Sequence, residues 1–177
     1  MSKMMVSIPL LASVILANRA KKAKRKAKAK RLKIRKPSLA KLKTRLWALL
    51  SPAIKDRYGS TCYSCHAQGL SGSNLHGGHM FSAGLHSLTR FDARNIRPQC
   101  LRCNVALRSN AAMFAARYID REGKDAFDAM AAASRVSKKW TRPEIEVLID
   151  KIREGIDHYQ GFYETAYGLQ SNNEPRP

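Results

Sequence analysis

Four cysteines stand in two Cys-x-x-Cys pairs, Cys62/Cys65 and Cys100/Cys103, and the chain has no others. Each pair can grip a metal ion from one short turn, and four thiolates make the closed tetrahedral shell of a structural Zn²⁺. No other feature constrains the fold as strongly, because the 34 residues between the pairs must loop out and return. Two disulfides are the alternative, but such pairs in a lysine-rich chain read as metal ligands. The stretch from Tyr58 to Asn110 is poor in large apolar residues, so zinc must supply much of its folding energy.

The charge is lopsided. The net charge is +20, residues 19–36 hold twelve basic side chains and no acid, and the first acidic residue is Asp56. Residues 111–177 are balanced, with 10 basic and 11 acidic side chains. A field this positive repels itself and calls for a polyanionic partner. Val6 to Ala17 is nearly all apolar, yet too short for a bilayer span of about 20 residues, and the positive run after it opposes export. We expect a cytoplasmic protein with no stable membrane association.

Along the chain, residues 1–17 form an apolar leader of unassigned role, and 18–37 a basic arm that is disordered or helical. Residues 38–57 carry leucines 39, 42, 46, 49 and 50 at helical spacing and predict one amphipathic helix ending near Ser51-Pro52. Within 58–110 two strands, near Leu75–Met80 and Asn95–Gln99, predict a hairpin, and Pro98 marks the second as an edge. Cys100 and Cys103 are expected at the start of a helix. Residues 111–170 predict helices over 111–121, closed by Gly123, and over 125–134. Thr141 to Glu144 reads as a capping box opening one long helix through Tyr163. Residues 171–177 are a polar tail.

With zinc on the cysteines, the histidines and asparagines are left for other chemistry. Hydrolysis of a phosphodiester needs a base for water and a cation for the phosphate. His79, in the turn His76-Gly77-Gly78-His79, is the candidate base, since imidazole titrates near neutrality. Asn104 follows the last zinc ligand and is the candidate holder of a second, hard divalent ion, Mg²⁺ or Mn²⁺. His76 is either a further ligand or a histidine packed on the zinc loop. Asn95 suits a supporting role, tying strands through side-chain-to-backbone hydrogen bonds. Arg90, Arg97, Arg102 and Arg108 offer guanidinium forks to phosphate, and Lys21, Lys22, Lys24, Arg25 and Lys26 lead the basic arm. Cys62 to His66 also satisfies a c-type haem attachment pattern, but that chemistry needs export and leaves Cys100 and Cys103 unused. His66 and His86 read as loop residues.

The stretch Cys62-x-x-Cys65, Gly78-His79, Arg90-Phe91-Asp92, Asn95-Ile96, Gln99-Cys100-x-x-Cys103-Asn104 and Ser109-Asn110 resembles the phage NinG/Rap recombination endonucleases. The likeness extends from Leu32–Lys36 to Trp140-Thr141, about residues 30–160. It implies an α+β fold: a small zinc-stapled ββα-metal core (HNH-like, treble-clef type) with flanking helices. It implies metal-dependent cleavage of branched DNA, Holliday junctions and D-loops, in the host cytoplasm or nucleoid, with His79 as base and Asn104 on the catalytic metal. Many family members carry Asp where this chain has His76, and the wider nuclease group often has Asp or His where it has Gly78. Symmetric junction cleavage suggests a homodimer on branched or duplex DNA. The alternative is a zinc module that binds DNA or RNA without cutting it; a ribosome-associated protein fits the charge but not the histidines.

Overall fold

The computed structural model describes residues 13, 16–26 and 36–169, in two units, 1–38 and 39–177. In the first unit residues 16–26 are helical (α1) and exposed, and they carry Lys21, Lys22, Lys24, Arg25 and Lys26. Most of the apolar leader, the rest of the basic run through residue 35 and the tail from 170 lie outside the described residues. No helix among the described residues is long and apolar enough to cross a membrane.

The second unit is helix-rich and mixed. It opens with α2, Leu39–Tyr58. Leu42, Leu46 and Leu50 are buried along one stripe, so the leucine periodicity is core packing. The helix does not stop near Pro52 but runs six residues past it. A mid-helix proline costs about 3 kcal/mol. Leu50 before it and Ile54 after it are both fully buried, and each contributes about 1.5–3 kcal/mol. Burial on both sides of the proline therefore outweighs the break.

Strands β1, Leu75–His79, and β2, Ile96–Cys100, pair antiparallel, with His76 opposite Gln99 and His79 opposite Ile96. The hairpin lies where the sequence puts it. With two strands in the sheet its second strand is an edge, as Pro98 marks it, but that edge is covered. All of β2 is buried, and the Pro98 carbonyl accepts the Tyr63 N–H at 2.8 Å. The first cysteine turn covers the side that proline would otherwise leave bare.

After β2 the chain makes a π turn, Arg102–Ala106, rather than an ordinary helical start, then a 3₁₀ turn, Arg108–Asn110. Helices α3 (Ala111–Glu122) and α4 (Lys124–Ser134) meet at Gly123. In α5, Arg142–Glu154, the Glu144 carboxylate accepts the Thr141 N–H at 2.8 Å and its hydroxyl at 2.6 Å. The long helix expected through Tyr163 is two helices. Gly155, at φ 129° and ψ 161°, ends α5, and α6 runs Ile156–Ala166. The periodicity passes through the break because both helices bury their apolar faces in one core, Ile145 to Ile152 from α5 and Tyr159 and Tyr163 from α6, against Leu46, Leu50 and Trp140. A second cluster joins Tyr63 and Met80 to Phe114, Tyr118 and Met130. The third is the cysteine cluster with Leu70 and Leu75.

Candidate functional site

The cysteine cluster holds the site together. The four Sγ atoms lie within 4.8 Å of one another, and Cys65 Sγ is 3.7 Å from Cys100 Sγ. A tetrahedral Zn²⁺ with bonds of about 2.3 Å sets its sulfurs about 3.8 Å apart, so four cysteines this close could hold zinc. The turns aim amides at the sulfurs: Cys65 N–H at Cys62 Sγ (3.5 Å) and Cys103 N–H at Cys100 Sγ (3.4 Å). Burial opposes ionisation of Cys62, but backbone amides, that of Cys100 foremost, outweigh it and bring the thiol down to about 7. Burial pushes Cys103 up to about 12. A bound cation lets both be thiolates together.

Two of the candidate residues meet beside this cluster. Asn104, in the π turn, places Nδ2 3.0 Å from His76 Nδ1, and His76 Nε2 donates to the Ser73 carbonyl at 2.9 Å. They line an open cleft of about 460 Å³ with Gly77 of β1 and with Trp47, Ser51 and Lys55 of α2. Half a turn of the Asn104 amide puts Oδ1 in the place of Nδ2. Adjacent ligands on an octahedral ion with bonds of about 2.1 Å are about 3.0 Å apart, so this pair fits two neighbouring positions on a divalent metal.

His79 does not line the cleft. It stacks on Trp47, with ring centroids 5.0 Å apart and planes 23° from parallel. Trp47 thus both contacts His79 and lines the cleft of the His76–Asn104 pair. The Arg90 carbonyl accepts from His79 Nε2 at 2.9 Å. A carbonyl only accepts, so the proton is on Nε2 and Nδ1 keeps its lone pair. Burial holds His79 below the ordinary histidine value, although the Arg90 carbonyl works the other way. The downward direction favours the neutral ring, the form in which imidazole can take up a proton.

The two glycines between the histidines are sterically fixed. A Cβ on Gly78 would fall 1.8 Å from Gln99 Oε1, and one on Gly77 would fall 2.9 Å from Ser51 Oγ and 3.3 Å from the Trp47 ring. Gln99 is fully buried, and its Nε2 donates to Ser64 Oγ (2.7 Å) and to the Ser109 carbonyl (2.6 Å). It links the first cysteine turn and the 3₁₀ turn Arg108–Asn110 to the hairpin floor. Asn95, also fully buried, accepts the Phe81 N–H at 2.8 Å and donates to the Phe81 and Thr89 carbonyls at 2.9 and 3.0 Å. These bonds fix the loop that brings Arg90 to His79.

The arginines separate. Arg90, Arg102 and Arg108 are exposed. Arg97 is 2% exposed, so the phosphate-facing role expected of it does not match its position. Its guanidinium pairs with Glu122 at 3.0 Å, donates to three backbone carbonyls and lies 4.2 Å from the Tyr58 ring centroid. Trp47 and Lys55 went unread in the sequence. The available signal was a face of α2 off the leucine stripe, where Trp47, Ser51 and Lys55 recur every four residues.

The profile of the bacteriophage lambda NinG protein matches residues 10–160. The chain belongs to the NinG family. No curated protein and no solved structure matches it. The NinG match spans the cysteine cluster, both strands, the π turn and all of α5.

Proposed function

We propose that the chain is a metal-dependent, structure-selective DNA endonuclease acting on branched recombination intermediates such as Holliday junctions and D-loops. NinG membership supports a phage recombination-related role. The observation that carries the catalytic reading is the meeting of His76 and Asn104 in a cleft whose wall, Trp47, also stacks on His79. The HNH-like plan rests on the same hairpin, cysteine cluster and following turn.

His76 Nδ1 and Asn104 Oδ1 would hold the divalent ion, which when bound neutralises charge on the phosphate. The scissile phosphate lies across the rim of Trp47, between that pair and His79. Water attacks phosphorus, its proton passes to His79 Nδ1, and the bond to the leaving sugar oxygen breaks. Lys55 brings an ammonium to the cleft, where negative charge grows as the reaction proceeds. A homodimer would present two such sites to a junction.

One observation favours a second reading, a zinc module that binds nucleic acid without cutting it: His79 is not among the cleft's lining residues. Cleavage of a labelled four-way junction and its matched linear duplex, with Mg²⁺, with Mn²⁺ and without added metal, separates the two. The endonuclease reading expects metal-dependent junction cutting that falls by at least about 10²-fold in His79→Ala, with junction affinity nearly unchanged. Tight binding with no cutting under either metal establishes the binding module instead.

A further inference from the structure

The π turn that carries Asn104 also carries an apolar tip. Leu101, Val105 and Leu107 are 48%, 57% and 43% exposed. Three large apolar side chains in solvent within seven residues call for a partner, because exposed apolar patches mark interaction sites. Val105 lies within the π turn, and Leu101 and Leu107 cap its two ends. The tip borders the cleft: Asn104 precedes Val105, and the Leu101 N–H donates at 3.1 Å to Asn74, whose neighbours Gly72 and Ser73 line the cleft.

The charge around the tip selects the partner. Arg102 and Arg108, both exposed, flank it. Residues 93–119 contain five arginines and no acidic residue. Arg97 and Arg94 of that run are taken up by Glu122 and Asp92, so a second copy of this chain meeting the tip about a twofold axis would set the exposed Arg102 and Arg108 against their own images. A polyanion with apolar surface between its charges matches both features, and that is nucleic acid at an unstacked base step. The tip is also held out firmly. Arg108, Ser109 and Asn110 all take positive φ, 47°, 72° and 43°. Gln99 bonded to the Ser109 carbonyl and Asn110 Nδ2 against Cys103 Sγ (3.5 Å) fix that run.

We propose that Leu101, Val105 and Leu107 form a wedge that enters DNA where base stacking is already interrupted, while Arg102 and Arg108 hold the flanking phosphates. The wedge rests on the endonuclease reading and supplies its selectivity. A branch point offers open steps, whereas in a linear duplex each insertion must first break a stack. The turn that places Asn104 at the cleft then also places the branch beside it.

The test uses the full zinc-loaded chain without added Mg²⁺ or Mn²⁺, a four-way junction with 2-aminopurine at the branch point, and a linear duplex with the same label. The expected result is a several-fold rise in fluorescence on the junction and little on the duplex. In Leu101→Ser/Val105→Ser that rise is lost and junction affinity falls about tenfold, narrowing the junction-to-duplex ratio. Zinc content and melting temperature check that variant, and Leu101→Ala/Val105→Ala, which adds no polar atom, should give an intermediate signal. Preferential junction binding by the unaltered chain with no change in fluorescence overturns the wedge and leaves the endonuclease reading standing. A dimer of the unaltered chain that the substitutions dissolve, again with no fluorescence change, assigns the tip to a second copy and overturns it too. No junction preference and no cutting with either metal would sink both readings.

Discussion

If the chain is the endonuclease proposed above, His76 asks for a particular metal. Imidazole is a softer donor than a carboxylate and binds Mn²⁺ more readily than the strongly hydrated Mg²⁺. With no acidic side chain lining the cleft, the chain should cut better with Mn²⁺ than with Mg²⁺. His76→Asp should reverse that order, seen as a change of at least about tenfold in the ratio of the two rates. An unchanged ratio would mean that residue 76 does not touch the metal. The residue types proposed for the chemistry could be picked out in the sequence because their spacing to the cysteines is local. Their arrangement could not. Nothing in the run His76-Gly77-Gly78-His79 shows that Trp47, about thirty positions earlier, stacks on one histidine and shares a cleft with the other. Arg97 misled for a similar reason. An arginine beside zinc ligands reads as a phosphate fork until Glu122, 25 residues on, takes it inside.

At the scale of elements, the break at Gly155 has the clearest consequence. Its backbone, φ 129° and ψ 161°, lies where only glycine is at ease. Beyond it, α6 brings the Tyr159 hydroxyl to the Phe91 carbonyl at 2.6 Å and the Tyr163 hydroxyl to that of Leu88. Those contacts anchor the loop that holds the Arg90 carbonyl against His79. Gly155→Ala should destabilise the fold by about 1–3 kcal/mol, read as a lower urea midpoint of the zinc-loaded chain. An unaltered midpoint would show that the two helices can merge at no cost. The strands, the cysteine turns and most helix starts were legible because each has a local signature in turn chemistry, capping or alternation. The break was not, since one core receives both helices and the apolar rhythm never falters. Pro52 taught the opposite lesson. A strong local stop signal lost to burial of Leu50 and Ile54, which only the packed structure reveals.

For the whole molecule, charge is partitioned by unit. Residues 1–37 hold thirteen basic side chains and no acid, while 37–177 carry 20 basic and 13 acidic. If the arm lies along DNA, each phosphate it neutralises adds about 0.9 to the slope of log affinity against log salt. Removing residues 1–37 should flatten that slope by several units and weaken binding most at low salt. The same slope with and without the arm would place it off the DNA. Composition made this asymmetry plain. It could not show the second concentration of charge, the acid-free run 93–119, as one surface, because Arg97 within it is internal and Arg102 and Arg108 face out.

The contact between Gly78 and Gln99 also limits the mutational routes open to this chain. The wider nuclease group often carries an acid or a histidine just before its base, but here a side chain at residue 78 would collide with Gln99, at 1.8 Å from Oε1 for the Cβ alone. Gly78→Asp is therefore closed as a first step and becomes open only after Gln99 has been shortened. Shortening Gln99 loosens the bonds to Ser64 and Ser109 that tie the first cysteine turn to the 3₁₀ turn after the second. A lineage starting from this sequence must cross a less stable intermediate to gain that acid, and the order of the two substitutions decides whether it can.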